Sequence, residues 1–173
     1  GDGTDEENIT IDSSSGLMAF INPPNYEWSD SAQITGIVTD GENIRSQNIT
    51  ITINNVNEAP EFGTLVNELS VDENISSSFV AILASDEDGD SLSYSLTGND
   101  SSSLNIDSSG NISFATSPDY ENPSDANGDN IFTIAIVASD GALSTSTDTI
   151  SISVNNVNDN APVISDLPSN IDV

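Results

Sequence analysis

The 173-residue sequence has no cysteine and no histidine. It therefore forms no disulfide, offers a metal no thiolate or imidazole ligand, and cannot carry a histidine-based acid–base relay. It also lacks a secretion signal and any run of about 18 apolar residues, so we predict neither an export signal nor a membrane span within it. The lack of cysteine does not by itself indicate an intracellular protein, because a hard cation can staple a fold as a disulfide does.

Positive charge is almost missing as well, since 29 aspartates and glutamates face one cation, Arg45, and the formal net charge is −28. A field of this sign repels phosphate backbones and anionic lipid surfaces, so we predict no nucleic-acid binding and no direct membrane contact. Two compatible explanations of the charge stay open. The carboxylates form a solvated surface, or many of them are metal ligands whose mutual repulsion a cation relieves.

Apolar residues make up only 35% of the chain, and low hydrophobicity with high net charge is typical of disordered proteins. The apolar residues are nevertheless concentrated in runs of period 2, such as Ile49-Thr50-Ile51-Thr52-Ile53 and Ile150-Ser151-Ile152-Ser153-Val154. Alternation of this kind places one face of a strand in a core and the other in water. We therefore predict an all-β protein.

One motif occurs twice and divides the chain. Ile53-Asn54-Asn55-Val56-Asn57-Glu58-Ala59-Pro60 returns in longer form as Val154-Asn155-Asn156-Val157-Asn158-Asp159-Asn160-Ala161-Pro162. Self-similarity at a period of about 100 residues indicates a tandem array. We predict a partial repeat over residues 1–60, a complete repeat over 61–162, and the first strand of a following repeat over 163–173.

The complete repeat contains short alternating segments separated by turn residues, and no stretch shows capped helical periodicity. About seven short strands in about 100 residues are typical of a Greek-key, immunoglobulin-like β-sandwich. The predicted strands are 69–73, 79–84, 91–96, 104–107, 111–114, a long strand ending in 137–141, and 150–154.

Acidic and amide side chains of the complete repeat lie near the ends of these strands. Calcium binds about six to eight hard oxygens from carboxylates, amides, backbone carbonyls and water. An Asp-x-Asp pattern places two carboxylates on the same side of an extended backbone, where both can bind one cation. The oxygen-rich segments are Glu73, 86–90, 119–121, Asp140 and 156–160.

In their order along the chain, these motifs resemble those of tandem cadherin repeats, particularly the cadherin-like repeats of large bacterial surface proteins. The linker motif Asp-x-Asn-Asp-Asn-Ala-Pro is matched by Asn156-Val157-Asn158-Asp159-Asn160-Ala161-Pro162, with Asn in place of the first Asp. The early x-Glu-x motif is matched by Asp72-Glu73-Asn74, the Asp-Arg-Glu motif by Asp119-Tyr120-Glu121, and the Asp-x-Asp motif by Asp86-Glu87-Asp88.

In that family calcium lies between successive repeats, so the resemblance implies two groups of ligands. The first junction has Asn25 where Asp is usual, and its linker is one residue shorter. Both junctions are incomplete in this chain, and because ligand charge tunes affinity we expect fewer or more weakly bound ions than the full set of about three. The implied ligands of the first junction are Asn25, Glu27, Asn55, Asn57, Glu58, Asp86, Asp88 and Asp140, with Asp90 from the same acidic loop, and those of the second are Glu73, Asp119, Glu121, Asn156, Asn158, Asp159 and Asn160.

The predicted function is that of a calcium-binding, calcium-stiffened structural and adhesive repeat segment of a cell-surface or secreted protein. Calcium between repeats would remove linker flexibility. The alternative is a calcium-dependent module that binds a glycan or another adhesin repeat. Paired carboxylates such as Asp119 and Glu121 can serve glycosidase chemistry. Because they recur at the repeat period, we interpret them as metal ligands and predict no enzyme.

Three features leave alternatives open. Asp125-Ala126-Asn127-Gly128-Asp129 is either half of a calcium loop or an Asx-rich turn. Trp28 is either a platform on which sugars stack or a partly buried residue of the sandwich. We expect a monomer. Residues 163–173 can, however, add as an edge strand to residues 1–60 of a neighbouring molecule, unless the chain ends are only cut points in a longer array.

Overall fold

Strands account for nearly all the regular structure of the computed structural model, which describes residues 8–163. Within that range a 3₁₀ turn covers Ser101–Ser103, and there is no α-helix. No helix of the described part is long and apolar enough to cross a membrane. The described residues divide into two compact units, unit 1 with residues 8–58 and 87–90 and unit 2 with the remainder. The predicted all-β class is confirmed.

Unit 1 consists of two antiparallel hairpins. β1 (Ile9–Ile11) pairs with β2 (Met18–Phe20). β3 (Ser31–Thr39) pairs along its whole length with β4 (Ile44–Thr52). Among the hydrophobic side chains described in this unit, only that of Ala32 is fully buried.

An aspartate caps the same hairpin turn in both units. The carboxylate of Asp12 accepts the backbone N–H groups of Ser14 and Ser15 at 3.0 and 2.7 Å. The carboxylate of Asp107 accepts the backbone and side-chain N–H groups of Asn111 at 2.9 and 2.8 Å. The hydroxyl of Ser14 and the amide of Asn111, respectively, are the largest causes that hold the pKa of each aspartate below its ordinary value. These carboxylates are turn caps.

Unit 2 contains ten strands. They are β5 (Glu61–Phe62), β6 (Glu68–Asp72), β7 (Val80–Ala81), β8 (Ala84–Ser85), β9 (Ser93–Thr97), β10 (Leu104–Ile106), β11 (Asn111–Phe114), β12 (Ile131–Ser139), β13 (Ser144–Ser146) and β14 (Ile150–Asn155). These are three more than the seven predicted, because β5 and β13 were not predicted and the strand predicted over 79–84 is divided into β7 and β8.

The strands of unit 2 form two main sheets. One has the order β13-β12-β14-β6, with β9 also paired to β12, and the other has the order β10-β11-β7. β5 and β8 form a separate pair. All these pairs are antiparallel except β6 with β14, which run parallel in the register Glu68 to Ser151 through Asp72 to Asn155. The parallel pair matters for the site, because both of its strands end at the same edge.

The core of unit 2 lies between these sheets. Alternate residues of β12 and β14 are buried, as the period-2 pattern predicts, and the opposite residues face outward. The ring of Phe114 lies edge-on to that of Phe132, with centroids 5.0 Å apart. The fully or nearly fully buried apolar residues are Ile82, Leu104, Ile112, Phe114, Phe132, Ile134, Ile136, Ile150, Ile152 and Val154.

The strand predicted over residues 79–84 is interrupted. Ile82, between β7 and β8, donates its backbone N–H to the carbonyl of Gly110 at 3.0 Å instead of continuing a ladder. Gly110 has a φ of +74°, and a Cβ there would overlap the carbonyl oxygen of Ile82. The backbone of Ile82 packs closely against Gly110, and at this point β7 ends and the chain passes to β8 in a different sheet.

Candidate metal centres

Three carboxylates converge within unit 1. Glu27 lies between β2 and β3, Glu58 follows β4, and Asp88 belongs to the acidic loop after β8. Each offers an oxygen within 4.8 Å of the other two, and all three side chains are half-buried. The motifs that carry them are far apart in sequence, and the fold brings their carboxylates together.

Two oxygens of this group are buried without compensation. Glu27 Oε1 and Glu58 Oε2 are inaccessible to solvent and have no hydrogen-bond partner among the described residues. Burial foremost, and then the charges of Glu27, Asp88 and Glu87, raise the pKa of Glu58 above its ordinary value. Buried carboxylate oxygens of like charge are costly unless a cation or a donor neutralises them.

Asparagine amides surround the group. Asn55 donates its side-chain N–H to Asp88 Oδ1 at 2.7 Å, and the backbone N–H of Glu58 donates to Asp88 Oδ2 at 3.2 Å. Asn25 donates to Glu87 Oε1 at 2.9 Å. The side-chain amide of Asn57, another implied ligand, donates instead to the backbone carbonyl of Glu58 at 3.1 Å. The predicted ligand Asp90 has a carboxylate oxygen within 4.8 Å of Asp88.

The second group, in unit 2, consists of Glu73, Glu121 and Asp159, whose carboxylate oxygens also lie within 4.8 Å of one another. The parallel pairing of β6 and β14 produces it. Glu73 directly follows β6 and donates its backbone N–H to the carbonyl of Asn155, the last residue of β14, at 3.1 Å. The acidic residue after one strand is thereby held beside the Asn/Asp run after the other.

Glu73 is the buried member of this group, with 4% of its surface exposed. Its Oε2 accepts the backbone N–H of Tyr120 and its Oε1 that of Val157, both at 2.7 Å. One carboxylate thus holds the 119–121 turn and the linker in place. Charge-assisted hydrogen bonds to backbone donors are what permit a carboxylate to be buried.

Asparagine amides also contact the exposed members of this second group. Asn156 donates to Glu121 Oε1 at 2.6 Å, and Asn74 donates to Asp159 Oδ2 at 2.7 Å. Asn160 donates to Asp159 Oδ1 at 3.0 Å. Asn158, which lies between Asn156 and Asn160 in the sequence, is exposed.

Three other implied ligands lie outside these two carboxylate groups. Asp119 accepts the backbone N–H of Glu121 at 3.1 Å and so caps its own turn. Asp140 caps the β12–β13 turn by accepting the backbone N–H groups of Ala142 and Leu143, both at 2.6 Å. Asp86 is half-buried directly after β8.

The sequence reasoning missed two residues, Asn74 and Glu87. Asn74 is the last residue of the x-Glu-x motif and adopts a φ of +65°, which turns the chain after Glu73. Glu87 is the middle residue of the Asp-x-Asp motif and accepts the amide of Asn25. Both residues belong to recognised motifs, but the family's ligand role falls on the residues next to them, so the motifs gave no reason to select Asn74 or Glu87.

The donor sets suit calcium. Each group supplies carboxylate oxygens, with amide oxygens close by, and has neither thiol nor imidazole. A hard cation that prefers oxygen ligands and accepts irregular geometry fits such a set. The uncompensated oxygens of Glu27 and Glu58 are those that a cation would satisfy.

The loop at 125–129 is an Asx-rich turn. The carboxylate of Asp125 is 8% exposed and accepts the backbone N–H groups of residues 127, 128, 129 and 130 at 2.6 to 3.2 Å. Burial would raise the pKa of Asp125, but these four donors together lower it below its ordinary value. With its oxygens occupied by the backbone, this carboxylate holds the turn.

Trp28 is exposed over 87% of its surface, so the interpretation as a partly buried sandwich residue is wrong. It borders a cavity of about 560 Å³ in unit 1 whose wall includes Phe20, Pro23 and Pro24. Trp28 follows Glu27 as Asn122 follows Glu121, and Asn122 is exposed as well. The position therefore faces outward in both repeats.

Comparison with known proteins matches residues 57–153 to the family model described as "Bacterial Ig domain". Protocadherin Fat 1 of Homo sapiens is 32% identical over 177 residues, covering 94% of this chain, although the chain spans only 4% of that protein's length.

Solved structures with the same fold include human Protocadherin-24 EC1-2, with a TM-score of 0.67 and 20% identity, covering 90% of this chain and 80% of that one. Human Desmocollin-1 ectodomain has a TM-score of 0.52 and 20% identity, covering 95% of this chain and 34% of that one. At these identities the likeness concerns the fold. The predicted cadherin-like, immunoglobulin-like sandwich is confirmed, and the predicted extracellular or cell-surface location agrees with these relatives.

Proposed function

Because the chain belongs to the bacterial Ig domain family, we propose that it is a calcium-binding structural and adhesive repeat segment of a cell-surface or secreted protein. The boundaries between its repeats are proposed to lie at the two Asn/Asp-rich linkers, near residues 60 and 162. The family and the cadherin-like fold support a spacer or adhesive role, and we propose no catalytic one.

One observation carries the calcium proposal: the buried, unpartnered oxygens of Glu27 and Glu58 beside Asp88. Such charges are unfavourable in a folded protein unless they protonate or pair with a cation. The chain has one cation in its whole sequence, so ions from solution are the available counter-charge.

Two sets of residues would hold the ions. In unit 1, Glu27, Glu58 and Asp88 would supply carboxylates. In unit 2, Glu73 would supply the buried carboxylate, and Glu121 and Asp159 the exposed ones. Asn25, Asn55, Asn57, Asp86, Asp90, Asp119, Asp140, Asn156, Asn158 and Asn160 are proposed to complete the two shells with amide, carboxylate or water-mediated oxygens. Bound calcium would neutralise the clusters and fix the linker segments that carry them.

Isothermal titration with Ca²⁺, with Mg²⁺ as the control, tests the proposal. Extracellular calcium modules commonly bind with a Kd of roughly 10⁻⁴ to 10⁻³ M, and at a Kd of about 1 mM and about 10 mM free Ca²⁺ each site would add about 1.4 kcal/mol of stability. The Glu58→Gln variant should bind fewer ions. The absence of both binding heat and thermal stabilisation at that concentration would refute calcium binding. An unchanged maximum dimension in small-angle scattering with EDTA and with Ca²⁺ would refute stiffening alone.

Trp28 favours a second candidate, a module that binds neutral glycans. A largely exposed indole beside a cavity is the kind of surface on which sugar rings stack. The acidic surroundings disfavour anionic sugars. This role is compatible with a calcium-stiffened array, because Trp28 does not belong to either carboxylate group.

A further inference from the structure

We infer that asparagine amides serve as built-in hydrogen-bond donors to the two carboxylate groups, and that the same side chains set calcium affinity by rotating so that their oxygen replaces their N–H. Donor N–H groups face the carboxylates when no ion is bound, and the amide oxygens face the ion when one is. The affinity part of this inference rests on the proposed function, whereas the stability part does not.

Unit 2 shows the arrangement most fully. Asn74 and Asn160 donate to the two oxygens of Asp159 at 2.7 and 3.0 Å. Asn156 donates to Glu121 Oε1 at 2.6 Å. Glu73 is held by backbone donors instead, so every carboxylate of the group is hydrogen-bonded in the chain itself.

Unit 1 repeats the arrangement less completely. Asn55 donates to Asp88 Oδ1 at 2.7 Å, and Asn25 donates to Glu87 Oε1, next to the group, at 2.9 Å. Among the residues that the structure describes, no amide reaches the buried oxygens of Glu27 and Glu58. We therefore expect unit 1 to be the group that depends more on an ion.

An amide can serve both states. It carries a donor and an acceptor on the same planar group, and a half-turn about its last side-chain bond exchanges them. An aspartate at the same position would offer a cation more charge, but without the cation it would repel the neighbouring carboxylate. Asn25 and Asn156 stand where the cadherin motif has aspartate. Asparagine in place of aspartate therefore lowers the affinity for calcium and raises the stability of the calcium-free chain.

Asn156→Asp in the full chain is the direct test, and Asn155→Asp is its matched control. Asn155 also donates to a carboxylate, Asp72 Oδ1 at 3.1 Å, but that carboxylate lies outside both groups. In EDTA the Asn156→Asp variant should unfold several degrees lower, on the order of 5 °C for a domain of this size. In titrations it should bind Ca²⁺ more tightly, by roughly threefold to tenfold, because ligand charge tunes affinity. The Asn155→Asp variant should leave the Ca²⁺ affinity unchanged.

Side-chain amide signals in nitrogen-15 NMR supply a readout that a purely structural role would not move. On addition of Ca²⁺ the Asn156 NH₂ resonances should shift strongly, because its hydrogen bond to Glu121 is given up, whereas those of Asn155 should stay. Asn55→Asp, followed by thermal unfolding in EDTA, repeats the stability test in unit 1, because Asn55 donates to Asp88 of that group.

An unchanged unfolding temperature of Asn156→Asp in EDTA would overturn the role of the amides as hydrogen-bond donors that stabilise the ion-free chain. Calcium binding by the parent chain with no gain of affinity in the variant would overturn the affinity role and leave the proposed function standing. If the parent chain does not bind Ca²⁺, the proposed function and the affinity role are both wrong. A lowered unfolding temperature of Asn156→Asp in EDTA would still support the role of the amides as hydrogen-bond donors.

Discussion

Replacing Glu73 by glutamine should destabilise unit 2 even though the chain carries a net charge of −28. A simple charge argument predicts the opposite, because the substitution removes one of three clustered acids. The structure instead predicts that unit 2 loses stability. Glu73 is 4% exposed and accepts two backbone donors at 2.7 Å, from Tyr120 and Val157. Glutamine can accept one of them and must present its own NH₂ to the other.

The two opposing effects can be estimated. Losing one charge-assisted hydrogen bond and leaving its buried donor unsatisfied costs roughly 2–4 kcal/mol. Relief of repulsion from Glu121 and Asp159 returns at most about 1 kcal/mol for each, because both are exposed and interact through water. The expected net loss is about 1–3 kcal/mol, or roughly 5–15 °C in unfolding temperature for a unit of about 100 residues.

Thermal unfolding in EDTA measures this loss, with Glu68→Gln as the control. Glu68 is exposed on β6, and its substitution removes one charge without a buried hydrogen bond. The loss should grow with salt, which screens the repulsion but not the buried hydrogen bonds. A Glu73→Gln variant as stable as the parent chain at high salt would refute this reasoning.

Two further predictions concern residues outside the carboxylate groups. Because the folded pKa of Asp125 is lowered, its carboxylate stabilises unit 2 above the unfolded pKa of about 4 and loses that effect as pH falls below it. The stability difference between the parent chain and Asp125→Asn should therefore shrink on acidification in EDTA, and a pH-independent difference would contradict the turn-cap role. Trp28→Ala should change the stability of unit 1 by no more than about 0.5 kcal/mol but abolish binding on a neutral-glycan array, with Ile37→Ala as the exposed apolar control. No glycan binding by the parent chain would exclude that candidate.

The fold was largely predictable because period 2 survives in the sequence. Every apolar residue of Ile150-Ser151-Ile152-Ser153-Val154 is buried, and every serine between them is not. The carboxylate groups were predictable only through the motifs. Nothing in the spacing of Glu73, Glu121 and Asp159 states that parallel pairing of two strands brings them together. That information lies in the topology.

Two local details could not be read from single residues. The break between β7 and β8 depends on the close approach of Gly110, a residue of another hairpin. The exposure of Trp28 opposes the usual behaviour of a large aromatic, and its neighbours in sequence carry no signal of it. Both details depend on the tertiary structure, and a residue pattern along the chain does not contain that information.

The direction of the pKa shift separates two populations among the acids of this chain. Asp40, Asp107 and Asp125 accept hydrogen bonds from their own turns, and their pKa values are lowered. Glu58 is buried against other carboxylates, and its pKa is raised. The first population is stabilised by its charge and needs no ion. The second is destabilised above its ordinary pKa, and a cation would reverse the sign of that contribution. The acids with lowered pKa values fit a solvated surface, and Glu58 fits the metal-ligand role proposed above, so the two explanations of the charge apply to different residues.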